Sequence, residues 1–439
     1  MRQLRPRSTA CKRPPHIRKS GRISSGLTAL ILSSACSQVA AAQSIGPVIQ
    51  EPEDVPGTRI IAGLSPIGYE FQNFHVLPTV MFGAGLDTNV FSRRSVKEAD
   101  VVVQAEPRLR VRKEGRFSSI AFDASARANT YLRLSDQNST EYRLDGTYTR
   151  GTVSPDSISV NVNYRREAVL RGTVENDLVG GEPLMRRVLS ASITGRKQFN
   201  RVSVDAQALA GRQRYEDIET AEPERINQSF RNVVRYGARS VLSYQASART
   251  ALFTAIEYDR FDYARSPLLE DRDATNWSGT VGLRYELSRV LFAQLGVGYR
   301  SYNFSDPHLG AIKGLALSGH LRYFPSRLVA VRGVIEQSNT TSPYDLVGAV
   351  TLTSARVEIE YEMRRSLSWN ASTKVTLEDY AHQDYSAGRY ELSAGPRFRF
   401  NRWLSANANL GFTKRFVNGP APFDRYSKVV GMLSVTLAR

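Results

Sequence analysis

The sequence predicts an all-β chain closed into an antiparallel up-and-down transmembrane β-barrel of about 18 strands, with 16 as the alternative count. Three observations point there. Hydrophobic residues recur with a period of two, the alternating stretches run to roughly 11–15 residues, and short connections alternate with long ones along the whole chain. Strands of globular sheets are about half that length. With 41% hydrophobic and 23% charged residues the chain carries enough apolar surface to fold.

Residues 1–42 read as a cleaved secretory signal. Eight basic residues and no acid precede an apolar core of Leu27, Ala29, Leu30, Ile31 and Leu32, followed by small residues ending at Ala40-Ala41-Ala42. That core is much shorter than the ~20 residues of a spanning helix. Lipidation at Cys36, preceded by Ser34-Ala35, is the alternative, although Leu32 lies one position too far upstream for the usual lipobox. Either reading exports the chain. The two cysteines, Cys11 and Cys36, both lie in this segment, so the rest has no thiol for a disulfide, a metal or catalysis.

Residues 43–75 contain Pro47, Pro52, Pro56, Gly57, Gly63, Pro66 and Gly68 and are expected to form a disordered periplasmic lead-in. The barrel is expected over 76–439. The formal charge of +17 does not indicate nucleic acid, because beyond residue 42 the balance is 51 basic to 42 acidic residues, without a long Lys/Arg run. Outer-membrane lipid and lipopolysaccharide are the expected surroundings, with no nucleic-acid partner.

The alternation is clearest in the second half. Trp277, Gly279, Val281, Leu283, Tyr285 and Leu287 oppose Ser278, Thr280, Gly282, Arg284 and Glu286, and Val357, Ile359 and Tyr361 oppose Glu358, Glu360 and Glu362. Tight breaks fall near Glu114-Gly115, Pro155-Asp156, Asn200, Ala246, Ser288, Pro325-Ser326, Arg364-Arg365 and Asn401-Arg402, roughly 37 to 46 residues apart. Between them lie polar connections such as 168–187, 216–229 and 305–313. Strands can span hydrocarbon only when every backbone N–H and C=O is paired, which requires closure. A soluble sandwich would have to bury the charged face instead, which is costly. An even strand count puts both termini in the periplasm, with tight turns on that side and long loops outside.

With the apolar faces toward lipid, the polar faces enclose water. Candidate lumen-lining residues are Arg108, Arg110, Arg284, Arg300, Arg322, Arg397, Arg399, Glu358, Glu360 and Glu362. Charged rings set selectivity in pores, and guanidinium groups grip carboxylates bidentately. The competing reading is that opposed Arg and Glu side chains pair across strands and brace the wall. Tyr164, Tyr299, Tyr323, Tyr361, Trp369, Tyr390 and Phe398 fall on the lipid-facing register and are candidates for interfacial girdles.

No pattern calls for a cofactor or metal. Asp379, His382, Asp384 and Ser386 share one loop, but no strained nucleophile turn accompanies them, and an enzyme is not expected. The reading is a porin-like channel for hydrophilic solutes; a non-conducting barrel filled by loops such as 168–187 is an alternative.

The run Gly83-Ala84-Gly85-Leu86-Asp87-Thr88-Asn89-Val90-Phe91 resembles the Gly-x-Gly-Tyr-Asp-Asp-Asn-Val-Phe-like stretch that opens the first long loop in the "putative β-barrel porin 2" family. Leu86 stands where tyrosine is usual and Thr88 where an acid is usual. Asp87, Asn89, Val90 and Phe91 are the signature positions. The resemblance implies a proteobacterial outer-membrane barrel, folded by the barrel assembly machinery, from a family often encoded beside exopolysaccharide synthesis and export systems. It brings no catalytic residue. It also suggests the further alternative of a component that assists polysaccharide export. Such barrels often end in an aromatic residue, whereas this chain ends Leu437-Ala438-Arg439.

Overall fold

A computed structural model describes residues 56, 59–152, 154–177, 181–219, 225–265, 271–288, 290–340 and 349–439. The expected signal, residues 1–42, lies outside them. A short strand β1 (Tyr69–Phe71) precedes β2 (Phe74–Asp87), β3 (Asp100–Glu114), β4 (Ser118–Tyr131), β5 (Ser139–Arg150) and β6 (Ser157–Ala168). Then come β7 (Met185–Phe199), β8 (Val202–Tyr215) and a pair of two-residue strands, β9 (Ile218–Glu219) with β10 (Arg225–Ile226). The chain continues with β11 (Val233–Gln245), β12 (Thr250–Tyr263), β13 (Ala274–Ser288), β14 (Leu291–Phe304), β15 (Ile312–Ser326) and β16 (Val329–Thr340). It ends with β17 (Val350–Arg364), β18 (Leu367–Tyr380), β19 (Ser386–Arg399), β20 (Leu404–Asn418) and β21 (Tyr426–Ala438).

Each long strand pairs antiparallel with its sequence neighbours, and β21 returns to β2 in register from Thr79↔Ala438 to Asp87↔Val430. Among the described residues this makes a closed barrel of 18 strands, β2–β8 and β11–β21. Closure leaves no open edge for the bilayer to strip of hydrogen bonds.

The faces are inverted relative to a soluble protein. Leu433, Ile256, Leu295 and Leu410 are 61–68% exposed, while Arg186, Arg231, Arg415 and Glu378 are at most 1% exposed. The apolar register faces outward along every strand, and the buried charges sit inside. Tyr299, Tyr323, Tyr361, Tyr390, Trp369 and Phe398 all project outward, and Trp277 and Tyr299 sit side by side with ring centroids 5.7 Å apart. Inside the wall, Phe253 covers the cross-strand glycines Gly282 and Gly296. A Cβ at Gly282 would stand 2.3 Å from the Phe253 ring, so only glycine admits that aromatic.

The lead-in departs from the sequence expectation. Residues 61–65 form a turn in which the Leu64 and Ser65 amides donate to the Ile61 carbonyl. Strand β1 then pairs with β2 through Tyr69↔Val76, across Gln72 and Asn73 at φ 47° and 66°. Two left-handed residues match the twist of a tight hairpin. β1 pairs with the first residues of β2, below the point where β21 stops, and gives that length of β2 a partner on its open side. Local Pro and Gly content could not reveal a partner supplied by the barrel itself.

Two outcomes are expected. Protein kept cold in detergent should migrate as a compact species that boiling converts to a slower one. Val297→Arg, which places a charge at mid-height on the outer face, should lower stability by about 2–4 kcal/mol, read as a reduced denaturant midpoint.

Candidate permeation path

The strand period places a ladder of charges on the inner wall. Arg108 grips Asp123 through Nε and Nη2 at 2.6–3.0 Å, and Arg110 approaches the same carboxylate at 3.6 Å. Arg127 pairs with Glu106 at 2.7 Å, Arg196 with Asp205 at 2.6 Å, and Arg235 with Asp259 at 2.8 Å. Glu358 lies 3.4 Å from Arg356, and Glu360 lies 3.5 Å from Arg332. Cross-strand pairing therefore accounts for Arg108, Arg110 and Glu360, and pairing along β17 for Glu358. Arg284 and Arg300 differ: the former donates to the Gln245 side chain and the latter to the Thr351 hydroxyl, both at 3.4 Å, and neither meets a carboxylate among the described residues. Arg322 shares the inward register of β15 with His320 and stands directly opposite Arg332.

At the loop end the connection between β6 and β7 folds inward and crosses the barrel. Arg186, fully buried, donates to Glu175 at 3.1 Å and to Glu167. Glu175 also accepts from the Thr340 hydroxyl at 2.7 Å on its side chain and from Arg231 at 2.9 Å on its carbonyl. Val174 packs with Val350, Leu352, Tyr380, Ala387 and Phe423. Tyr380 is on β18, nine strands round the circle from β7, so the loop reaches the opposite wall. There Asp177 pairs with Arg415, which donates to Glu378 at 2.7 Å and to the Tyr380 hydroxyl at 3.1 Å. Arg389 flanks the cluster, 3.7 Å from Glu378 and 3.1 Å from Glu391. Such buried ions persist only when each is paired and hydrogen-bonded.

At the turn end the lead-in enters the opposite mouth. Arg59 pairs with Glu362 at 3.2 Å and donates to the Arg327 carbonyl. Arg332 donates to the Pro56 carbonyl at 3.3 Å, and Ile61 is buried against the wall. Arg397 and Arg399 line a small cavity here with Arg59, Glu360 and Glu362.

The signature residues do not line the path; they clasp the closing seam. Asp87 pairs with Lys428 of β21 at 2.6 Å, and Thr88 exchanges two hydrogen bonds with Val429. Asn89 donates to the Ser427 carbonyl at 3.1 Å and the Arg93 carbonyl at 2.9 Å, while its oxygen accepts from the Arg93 amide. Val90 is buried. Phe91 lies beneath the Arg171 guanidinium at 5.3 Å, in the inward loop, and burial together with nearby Arg93 lowers that guanidinium to about 10.

Asp177, Glu175, Arg186, Arg389 and Arg415 were not among the residues singled out from sequence. Alternation could have placed Arg389 and Arg415 inside, but the Asp177 partner of Arg415 is 238 positions away in sequence. Asp379 ends up in β18 and Ser386 opens β19, while His382 in the loop between them adopts φ 60°, and no hydrogen bond joins it to Asp379 or Asp384 among the described residues. Asn89→Ala should cost about 1–3 kcal/mol by removing the side-chain bonds that tie the Ser427 carbonyl of β21 to the Arg93 backbone in the loop after β2, measured as a shift in the denaturant midpoint.

No curated protein matches the chain. Among solved structures it is similar to the Pseudomonas aeruginosa protein OccK2 (OpdF), crystallised with glucuronate, at 7% identity over 84% of this chain and 99% of that one, with a TM-score of 0.45. It is also similar to the copper transporter OprC, at 12% identity over 85% and 84%, with a TM-score of 0.45. For Pseudomonas aeruginosa OpdK, crystallised with vanillate, the values are 10%, 83%, 99% and 0.44. Likenesses this loose have no bearing on function. The family profile described as "Putative beta-barrel porin 2" matches residues 62–439. Spanning every barrel strand, that match makes the chain a member of this outer-membrane β-barrel family.

Proposed function

We propose that the barrel is a porin-like channel for small hydrophilic solutes, favouring anions, with a non-enzymatic role. The observation that carries this reading is the inner wall: a polar lining on which Arg284 and the more buried Arg300 meet no carboxylate among the described residues and leave the wall a net positive potential there. Arg322, Arg397 and Arg399 add positive potential to the same wall, whereas Arg108, Arg110, Glu358, Glu360 and Glu362 act mainly as braces. The inward residues 169–177 narrow the outer mouth, and the segment around Arg59 narrows the inner one. The even strand count puts both termini on one side, and the short turns on that side support a periplasmic location with the long loops outside. Lipid and lipopolysaccharide surround the barrel, and the barrel assembly machinery inserts it.

A second reading is a component assisting exopolysaccharide export. Segments held in both mouths suit a conduit that opens on demand, and the family's gene neighbourhoods point the same way. Loss of secreted polysaccharide on gene deletion, with small-solute uptake unchanged, would favour it.

Planar-bilayer recording is the direct test. The native protein should carry current, and Asp177→Ala with Glu175→Ala, which removes the ionic latches of the loop while leaving Arg415 its Glu378 partner and Arg186 its Glu167 partner, should raise the unitary conductance. Replacing Arg284 and Arg300 with Gln should lower the anion-to-cation permeability ratio about threefold, read from the reversal potential in a salt gradient. Silence of both the native and the unlatched protein at every voltage would remove the channel and leave a structural barrel.

A further inference from the structure

The lipid-facing register of a membrane barrel tolerates arginine only near the interfaces, where the cost of the charge nearly vanishes. Four arginines occupy that register at the loop ends of three neighbouring strands. Arg166 follows Val160 and Val162 along the outer face of β6, Arg187 precedes Leu189 and Ile193 on β7, and Arg212 and Arg214 follow Ala208 and Ala210 on β8. Strand register sets them side by side: Arg166 faces Arg187, Arg187 faces Arg214, and Arg212 faces Leu189.

Their height is fixed by the aromatic belt. Tyr142 stands opposite Arg166, and Tyr236 stands opposite Ala210, two residues below Arg212 on the same face. At the same end of the barrel β13 and β14 present Trp277 and Tyr299, the usual interfacial pair. The arginine row therefore lies at headgroup depth on one side of the barrel.

The row is not neutralised. Glu216, just beyond β8, accepts from Arg166 at 2.9 and 2.8 Å and from Arg187 at 2.7 Å. The bond from Arg166 holds this carboxyl below its ordinary range. Arg212 and Arg214 are exposed, and among the described residues no carboxylate lies within 4.0 Å of either. Among the described residues four guanidinium groups thus face one carboxylate. Arg260 on β12, bound to Asp262 at 2.7 Å, adds no free charge.

A guanidinium matches phosphate oxygens with two parallel hydrogen bonds, and the lipid-facing position brings it a headgroup rather than a soluble anion. We propose that Arg166, Arg187, Arg212 and Arg214 form a binding site for the phosphate groups of the glycolipid in the outer leaflet, with Glu216 fixing the first two side chains in place. The site rests on the orientation adopted above, with the long loops outside.

Binding of bisphosphorylated lipid A and of its dephosphorylated form to the full-length barrel in detergent micelles tests this. The native protein should prefer the phosphorylated lipid by about tenfold. Replacing Arg212 and Arg214 with Gln should abolish most of that preference without altering cold-detergent mobility. Arg187→Gln offers the same readout should the double variant fail to fold, and Lys at positions 212 and 214 should restore part of the preference. Equal binding of the two lipids, or a Gln variant that keeps the preference, would overturn the site. Orientation is read separately: Asp306→Cys, in the loop between β14 and β15, should react with an impermeant maleimide on intact cells. No reaction, with lipid selectivity intact, would move the patch to the inner leaflet and overturn the outer-leaflet assignment. Reaction without selectivity would remove the site and leave the orientation standing.

Discussion

A backbone that crosses hydrocarbon has no water to satisfy it, and the rest of this structure follows from that constraint. Each of the eighteen strands finds both neighbours, and the last meets the first over nine residue pairs. The closing pair joins residues more than 340 positions apart, so the seam forms late by loop-closure reasoning and needs anchoring. Asp87, Thr88 and Asn89 supply it with an ion pair and side-chain bonds to Ser427, Lys428 and Val429. The most recognisable motif of the chain is thus a device of closure.

Inside, cross-strand geometry and long-range contact share the work differently along the axis. At mid-wall, pairs such as Arg108–Asp123 and Arg196–Asp205 join adjacent strands and stiffen a wide cylinder. At the loop end, Asp177 and Glu175 are carried across the lumen to wall residues on strands far from their own. The apolar cluster around Val174 and Tyr380 gives this otherwise polar interior a local dry core. That cluster excludes water from the Arg415–Glu378–Asp177 group, which strengthens the group and commits the loop to one position.

The outer surface is also differentiated. Most of the belt is Tyr, Trp and aliphatic, as a lipid-facing wall demands, yet β6, β7 and β8 end in arginines turned away from the lumen. Inner and outer arginines differ only by one step of the pleat, since Arg186 is fully buried inside and its neighbour Arg187 is exposed outside.

From sequence alone, period and spacing determined the barrel, its strand count to within about two, the alternation of turns and loops, and the two-faced character of strands such as β13 and β14. Those are local properties, because a strand shows its two faces within a few residues. The tertiary structure alone decided which arginines are paired, that residues 174–177 reach β18 and β20, that Asn89 locks the seam, and that residues near Arg59 enter the mouth at the turn end. Each of these joins segments separated by most of the chain, and only closing the cylinder brings them within the 3–4 Å at which an ion pair or hydrogen bond acts.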